Sequence, residues 1–213
     1  MSEDPVKRRY DAPARRAAAL ATRDRIRASA EELFVRNGYA RASIRAIAAG
    51  AEVSEATVYL AFPNKAALLD AVILRAIGDS GSDSLDAILA SEPSKVLRHA
   101  AAAQAVLMRR AARLIAIGES AALMDAELRP LRERAHRGVR AMMRAIADRL
   151  DEAGLLAPEL TPQAAADTLY AIGNETTYLR FVDGCGHSPE QYAAWLATTL
   201  EAAVLDPYRP AGA

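Results

Sequence analysis

The side chains that most often carry catalysis or hold metal ions are few in this sequence and far apart. The three histidines, His99, His136 and His187, lack the close spacing of a zinc motif such as H-E-x-x-H. The sequence contains neither a G-x-x-x-x-G-K-[ST] phosphate loop nor a G-x-S-x-G nucleophile elbow. We therefore predict no catalytic site, no metal site and no cofactor.

The distribution of charge indicates a different chemistry, the binding of a polyanion. The chain is neutral as a whole, but residues 1–65 carry 12 Lys or Arg against 8 Asp or Glu, and the remainder carries 15 against 19. A basic N-terminal part on an acidic body favours contact with a polyanion, and an ordinary solvated surface is the alternative.

The stretch VSEATVYLAFPNKAALL, Val53 to Leu69, has the pattern of a helix-turn-helix. Ala48 supplies the small residue at which two short helices touch, and Val53, Val58 and Phe62 supply the apolar side chains that fix the second helix. Small residues at the start of that helix let it enter a major groove, where backbone N–H groups attract phosphate.

The elements that must position this stretch are helices. Apolar residues make up 52% of the chain but aromatic residues only 5%, and alanine, the best helix former, dominates. Helical spacing, caps and stop signals predict about nine helices, over 13–37, 43–49, 54–62, 64–77, 85–90, 94–117, 128–154, 161–184 and 188–205. The loop Gly78 to Ser84 separates an N-terminal helix-turn-helix domain (13–77) from a helical body (78–213), and residues 1–12 form a basic arm.

Residues 22–72 resemble the DNA-binding domain of the TetR family of transcriptional regulators. The resemblance is carried by AEELFVRNGY, by SIRAIAAGAEVSEATVYLAF and by PNKAALLDAV. The helical body is similar to that family's effector-binding and dimerisation domain in helix pattern only. The resemblance implies a repressor that binds a palindromic operator in double-stranded DNA as a homodimer and is released by a small molecule.

The resemblance also implies roles for individual residues. The hydroxyls of Thr57 and Tyr59 and the ammonium of Lys65 would contact phosphates, with Ser54 capping the helix; such contacts set register without reading sequence. Base-edge contacts are expected on the same helix. Their candidates are Glu55, Ala56 and Leu60, with Arg45 on the preceding helix as a further candidate for a base or a phosphate.

Two positions depart from the family pattern. Glu52 stands in the turn where glycine is common, and a positive φ there would cost about 1 kcal/mol. Ala61 replaces a frequent His or Tyr and so removes one phosphate contact. The basic arm has two interpretations. Its Lys7, Arg8 and Arg9 contact DNA phosphates or a minor groove, or they belong to a solubilising tail.

An effector site is expected in the body, where polar or adaptable side chains interrupt apolar helix faces. The candidates are His99, Gln104, Met108, Met142, Tyr170, Asn174 and Tyr178. Each of them has ordinary packing as its alternative. The row Arg132, His136, Arg140 and Arg144 is typical of a solvated face, and an anionic effector is the sharper interpretation. Cys185, the single cysteine, is an oxidant sensor only in a minor interpretation.

The last two helices carry many small residues, among them Ala164, Ala165, Ala193, Ala194 and Ala197. Close packing of such helices predicts a four-helix bundle between two subunits, and two-fold dimers read palindromic half-sites. A single cysteine, no signal peptide and no apolar run of membrane-spanning length predict a cytoplasmic protein without membrane contact. The alternatives are a helical ligand-binding or scaffold protein that has lost specific DNA binding and, less favoured, an all-α enzyme.

Overall fold

Ten α-helices follow one another in residues 12–206, the part of the chain that the computed structural model describes; of residues 12–14 it describes the backbone only. No β-strand occurs within these residues, where the only extended pairing is an isolated bridge between Leu156 and Leu205. The all-α prediction is confirmed. The basic arm predicted over residues 1–12 lies almost entirely outside the described residues.

The first four helices build the N-terminal part. They are α1 (Ala12–Arg41), α2 (Ile44–Gly50), α3 (Glu55–Ala61) and α4 (Lys65–Gly78). The predicted N-caps Ser43, Ser54 and Asn64 are confirmed, because each side chain accepts a hydrogen bond from the backbone N–H three residues on. Local capping chemistry therefore sets where α2, α3 and α4 begin.

The remaining helices form the body. They are α5 (Leu85–Leu89), α6 (Val96–Ala122), α7 (Arg129–Glu152), α8 (Pro162–Ile172), α9 (Glu175–Leu179) and α10 (Pro189–Val204), with a 3₁₀ turn at Pro93–Lys95 and a π-helical turn at Arg180–Gly184. Thr161 caps α8 as predicted. Ser188 caps α10 in a reciprocal capping box with Gln191.

The predicted helix stop at Asn37-Gly38 is confirmed as a break in α1, since Gly38 has φ of 73°, and helical residues continue beyond it to Arg41. Two other predicted boundaries were wrong. Helix α6 runs five residues beyond the predicted end at Ile117. The helix predicted over 161–184 is interrupted at Gly173, and Asn174 caps a separate α9 by accepting from the Thr177 N–H.

The hydrophobic core consists of two clusters. The first joins α1–α4 to the second half of α6 through buried residues such as Phe34, Leu69 and Leu114, and it includes Leu128 at the start of α7. The second fills the body around α6, α7, α8 and α10, with Tyr192 fully buried. The first cluster contains residues of both parts of the chain, because α1 and α4 pack directly on α6 of the body.

No single helix among residues 12–206 is both long and apolar enough to cross a membrane; α3 and α4 reach that length and composition only when taken together, across a 65° bend.

Candidate nucleic-acid interface and internal cavity

Helix α3 presents one face to solvent because its other face is fixed in the core. Val58 and Phe62 are 1% and 3% exposed, and Ala48 of α2 is buried beside them. On the outer side Leu60 is 89% exposed and Tyr59 is half exposed, although both are large side chains. Glu55, Ala56 and Leu60, for which the sequence predicts base contacts, are all exposed, and we refer to them as the reading face.

The polar side chains around the reading face are preorganised. Ser54 Oγ accepts from the Thr57 N–H at 3.1 Å and lies 2.8 Å from Thr57 Oγ1. The exposed Arg45 lies on α2, which packs against α3. The side chains proposed from sequence for DNA contact therefore lie on α2, on α3 and at the first residue of α4.

Arginines of α1 hold the ends of the two short helices, a feature that the sequence analysis missed. Arg23 donates to the Ala61 carbonyl at the end of α3, and its guanidinium lies 4.4 Å from the centroid of the Phe62 ring. Arg25 donates to the Ala51 carbonyl after α2 at 3.3 Å. Cations at helix C-termini satisfy the last carbonyls and oppose the negative end of the helix dipole. These contacts hold the ends of α2 and α3 against α1 and so fix the orientation of α3.

The turn between α2 and α3 carries backbone strain. Glu52 has φ of 54°, and among the described residues it is the single non-glycine residue with positive φ. A side chain in this left-handed conformation costs about 1 kcal/mol. The turn nevertheless closes regularly, since the Val53 N–H donates to the Ala48 carbonyl at 3.0 Å.

Replacing Glu52 with glycine is expected to raise the free energy of unfolding by about 0.5–1 kcal/mol, because the gain from relieved strain exceeds the entropy that glycine adds to the unfolded chain. Urea unfolding of the wild type and of Glu52→Gly measures the difference in free energy of unfolding, provided that this free energy depends on urea concentration with the same slope in both proteins. Glu32→Gly, within the regular and exposed part of α1, is the matched control and is expected to lower stability by about 1 kcal/mol. Equal losses in both variants would contradict strain at Glu52.

Lys65, the first residue of α4, is held by the end of α1. Its ammonium lies 4.3 Å from the centroid of the Tyr39 ring and donates to the Ala40 carbonyl at 3.4 Å. Partial burial lowers the pKa of Lys65, and the nearby Asp125 carboxylate opposes that shift. Cation–π contact and partial burial fix the position of the charge beside α3.

Tyr39 in turn connects this end of α1 to the body. Its hydroxyl donates to Asp125 Oδ2 at 2.6 Å, in the loop between α6 and α7. The Glu127 N–H donates to the other oxygen of Asp125 at 2.9 Å. These two hydrogen bonds lower the pKa of Asp125, while burial and the same carboxylate raise the pKa of Tyr39. Asp125 in the loop, Tyr39 and Lys65 thus form one continuous contact path.

A cavity of about 400 Å³ lies among α4, α6, α7 and the α8–α9 junction. Its walls are mainly apolar and include Ile73, Leu74, Ile77, Ile115, Leu131 and Val139. Its size and apolar lining are those of a site for a small molecule. Four of its lining residues belong to α4, which begins at Lys65.

The cavity contains three of the seven side chains proposed from sequence for ligand binding: Met108, Tyr170 and Asn174. The amide of Asn174 is already used, because its oxygen caps α9 and its nitrogen donates to the Ala171 carbonyl. The cavity also contains residues that the sequence analysis missed, such as Asp70 and Glu119, which come together only through the fold.

The other four proposed residues lie elsewhere. His99 uses both ring nitrogens, one with Ser91 Oγ at 2.6 Å and one with Asp83 Oδ2 at 2.7 Å. Gln104 packs against Gly173, where an added Cβ would lie 2.8 Å from its Oε1. Met142 packs on the body core, and the buried Tyr178 stacks edge-on against Tyr192 with centroids 4.9 Å apart.

A polar network closes one side of the cavity. Glu119 binds Arg132 Nε at 2.5 Å and lies 3.0 Å from His136 Nε2. His136 Nδ1 lies 2.5 Å from the Tyr170 hydroxyl. Arg132, Arg140 and Arg144 of the basic row are exposed, as predicted for a solvated face, and His136 is partly buried; Arg132 and His136 both lie against the Glu119 carboxylate.

The outer members of that row do not line the cavity. Arg140 lies 5.6 Å from the centroid of the Tyr170 ring, and Arg144 pairs with Asp148 at 2.7 Å. The free thiol of Cys185 is exposed in the loop before α10.

Helices α8 and α10 each leave one face uncovered. The exposed positions recur at helical spacing: Ala164, Asp167 and Ala171 on α8, and Gln191, Ala194, Thr198 and Ala202 on α10. The Thr198 hydroxyl is satisfied by the Ala194 carbonyl at 3.1 Å, so no lone hydroxyl has to be desolvated when that face is covered. Small and satisfied side chains permit the close approach of another helix.

Comparison with known proteins places this arrangement in context. The model of the bacterial regulatory proteins of the tetR family matches residues 26–72, from the middle of α1 through most of α4. No curated protein sequence matches the chain significantly.

Solved structures match over almost the whole chain. NalD, the secondary repressor of the MexAB-OprM multidrug efflux pump in Pseudomonas aeruginosa, is 26% identical with a TM-score of 0.70, over 90% of this chain and 100% of that one. SmeT, the repressor of the Stenotrophomonas maltophilia pump SmeDEF, is 20% identical with a TM-score of 0.69, over 92% and 96%. The fatty acid degradation regulator FadR from Bacillus halodurans is 20% identical with a TM-score of 0.67, over 84% and 94%. For SmeT and FadR, both 20% identical, the likeness to this chain is one of fold alone.

Proposed function

Since the chain belongs, through its N-terminal domain, to the TetR family of bacterial regulatory proteins, we propose that it is a repressor that binds a palindromic operator as a homodimer and leaves it when a small molecule fills the body cavity. We assign DNA binding to residues 13–77 and ligand binding with dimerisation to residues 78–213, and we assign the protein to the cytoplasm.

One observation carries the proposal: a single helix takes part in both sites. The first residue of α4, Lys65, lies beside α3, and Ile73, Leu74 and Ile77 of the same helix line the cavity. A rigid helix that ends in both sites transmits displacement from one to the other. Occupation of the cavity is therefore coupled to the position of the proposed phosphate contact.

DNA contact follows the division of labour between positioning and reading. Thr57, Tyr59 and Lys65 supply donors to phosphates, with the N-terminus of α3 beside them. The reading face offers the Glu55 carboxylate to cytosine N4 and the apolar Ala56 and Leu60 to thymine methyl groups. Arg45 on α2 adds a donor to a base or a phosphate.

Release is a shift between two populations. The ligand stabilises a dimer in which the two α3 helices no longer fit half-sites about 34–36 Å apart. The contact path from the cavity wall to Asp125, Tyr39 and Lys65 offers a second route for this shift, because Leu128 and Leu131 line the cavity just after the Asp125 loop.

Fluorescence anisotropy against the DNA upstream of the protein's own gene tests DNA binding. We expect tight binding that weakens about 10³-fold or more between about 50 and 200 mM salt, as for a protein that neutralises several phosphates. Lys65→Ala is expected to weaken binding about tenfold and to reduce the salt slope, whereas Lys95→Ala, a matched change in the 3₁₀ turn of the body, leaves both unchanged.

A second experiment distinguishes an operator that lies elsewhere in the genome from a protein that has lost specific DNA binding. If the upstream DNA binds no better than random DNA, selection from a random library gives the operator. If selection also enriches no sequence, the proposal is overturned, and a ligand-binding scaffold without specific DNA binding replaces it.

A further inference from the structure

The cavity contains one lining charge that lacks an ion-pair partner. Among its carboxylates, Asp70 pairs with Arg134 at 2.9 Å, and Glu119 is shared by Arg132 and His136. Glu175 forms no ion pair within residues 12–206, and its Oε1 accepts only from the neighbouring Thr176 hydroxyl, at 3.1 Å.

The arginine in the cavity lining is already engaged. Arg132 lies 2.5 Å from Glu119, whereas His136 lies 3.0 Å from Glu119 without a hydrogen bond at its buried Nε2. An anionic ligand would have to compete with Glu119 for Arg132 while facing the Glu175 carboxylate. This arrangement opposes the anionic effector considered from the basic row of α7.

The break between α8 and α9 puts Glu175 at the wall. Gly173 ends α8 beside the amide of Gln104, where an added Cβ would lie 2.8 Å from Oε1, and Asn174 then caps α9 so that Glu175 is its first residue. Without the break, α8 would continue and these residues would follow a regular helical path.

We propose that the cavity takes an amphipathic monocation, with its apolar body against Ile73, Leu131 and Val139 and its positive group at Glu175. The inference deepens the proposed function, since it names the ligand class of the same site. A cation gains the attraction of an unpaired carboxylate without breaking an existing ion pair, and an apolar chain fills the remaining volume. A neutral ligand of the same shape gains only the apolar part.

Three probes with the same ten-carbon chain test the assignment: decyltrimethylammonium, 1-decanol and decanoate, each below its micelle-forming concentration. Their binding is measured by displacement of the neutral fluorophore N-phenyl-1-naphthylamine, with calorimetry for stoichiometry. We expect one site per chain. We also expect decyltrimethylammonium to bind several-fold more tightly than 1-decanol and at least about tenfold more tightly than decanoate.

Glu175→Gln keeps the shape of the wall and removes its charge. In this variant decyltrimethylammonium is expected to lose about tenfold in affinity while 1-decanol changes less than twofold. Glu159→Gln, at an exposed loop residue outside the cavity lining, is the matched control and leaves all three affinities unchanged.

The outcomes separate this inference from the function on which it rests. Decanoate binding as tightly as the cation, an unchanged order in Glu175→Gln, or no binding of any probe would each overturn the inference. Cation binding that depends on Glu175 but leaves the protein on operator DNA would support the ligand class and overturn release by cavity occupation.

Discussion

Arginine at both Ala164 and Ala194 is expected to convert the protein from a dimer into a monomer at micromolar concentration and to weaken operator binding at least about 100-fold. The two alanines lie on the exposed faces of α8 and α10. Each subunit then carries two arginines, one on α8 and one on α10. A two-fold axis doubles every substitution, so four like charges would meet in an isologous interface. The loss in DNA affinity follows because a monomer engages one half-site only.

Sedimentation velocity and anisotropy measure the two effects on the same samples. Ala87→Arg on α5 is the matched control, since Ala87 is equally exposed but lies outside the proposed interface. Circular dichroism identifies a variant that has failed to fold. A folded Ala164→Arg/Ala194→Arg protein that still sediments as a dimer would place the interface elsewhere. A folded monomer with undiminished operator affinity would contradict binding as a dimer.

Capping residues made the helix starts predictable from sequence, because a cap depends on residues within one turn. Ser43, Ser54, Asn64 and Thr161 were all identified in this way, and each accepts the expected hydrogen bond. Burial of Val58 and Phe62 followed equally from local spacing. The family resemblance added roles that local chemistry alone does not give.

Features that depend on distant contacts escaped prediction. The end of α8 at Gly173 coincides with the side chain of Gln104, which lies on another helix. Arg23 and Arg25 entered the sequence analysis only through the positive charge of residues 1–65, yet they bind the carbonyls of Ala61 and Ala51. The spacing of arginines along α1 does not reveal which helix ends they reach, since that depends on how α1 crosses α2 and α3.

The cavity shows the same limit. Polar residues that interrupt an apolar helix face include both cavity-lining and packed side chains, and sequence does not separate the two kinds. Tyr170 points to the cavity network while Tyr178, two turns later, is 5% exposed against Tyr192, because the chain breaks between them. Glu119 and Glu175 were not candidates, since their roles depend on which charges surround them.

Tyr39→Phe is expected to uncouple the cavity from DNA binding. The change removes only the hydroxyl that donates to Asp125 at 2.6 Å, so the ring still supports the Lys65 ammonium. Hydrogen bonds to charged groups contribute about 1.5–3 kcal/mol, and partial exposure puts this one near the lower value. Since allosteric coupling energies are typically about 1–3 kcal/mol, loss of this contact removes much of the total.

The expected result is a ratio of operator dissociation constants, with and without saturating cavity probe, that falls toward one in Tyr39→Phe. Amide hydrogen exchange in the α6–α7 loop is expected to rise, because the Asp125 carboxylate then keeps only its hydrogen bond from the Glu127 N–H. Tyr178→Phe, which removes a tyrosine hydroxyl from the body, is the matched control and leaves the ratio unchanged. The Tyr39 hydrogen bond lowers the pKa of Asp125, so the contact persists throughout neutral pH and the effect does not depend on pH there. A Tyr39→Phe protein with faster loop exchange but an unchanged ratio would show that α4 alone carries the coupling.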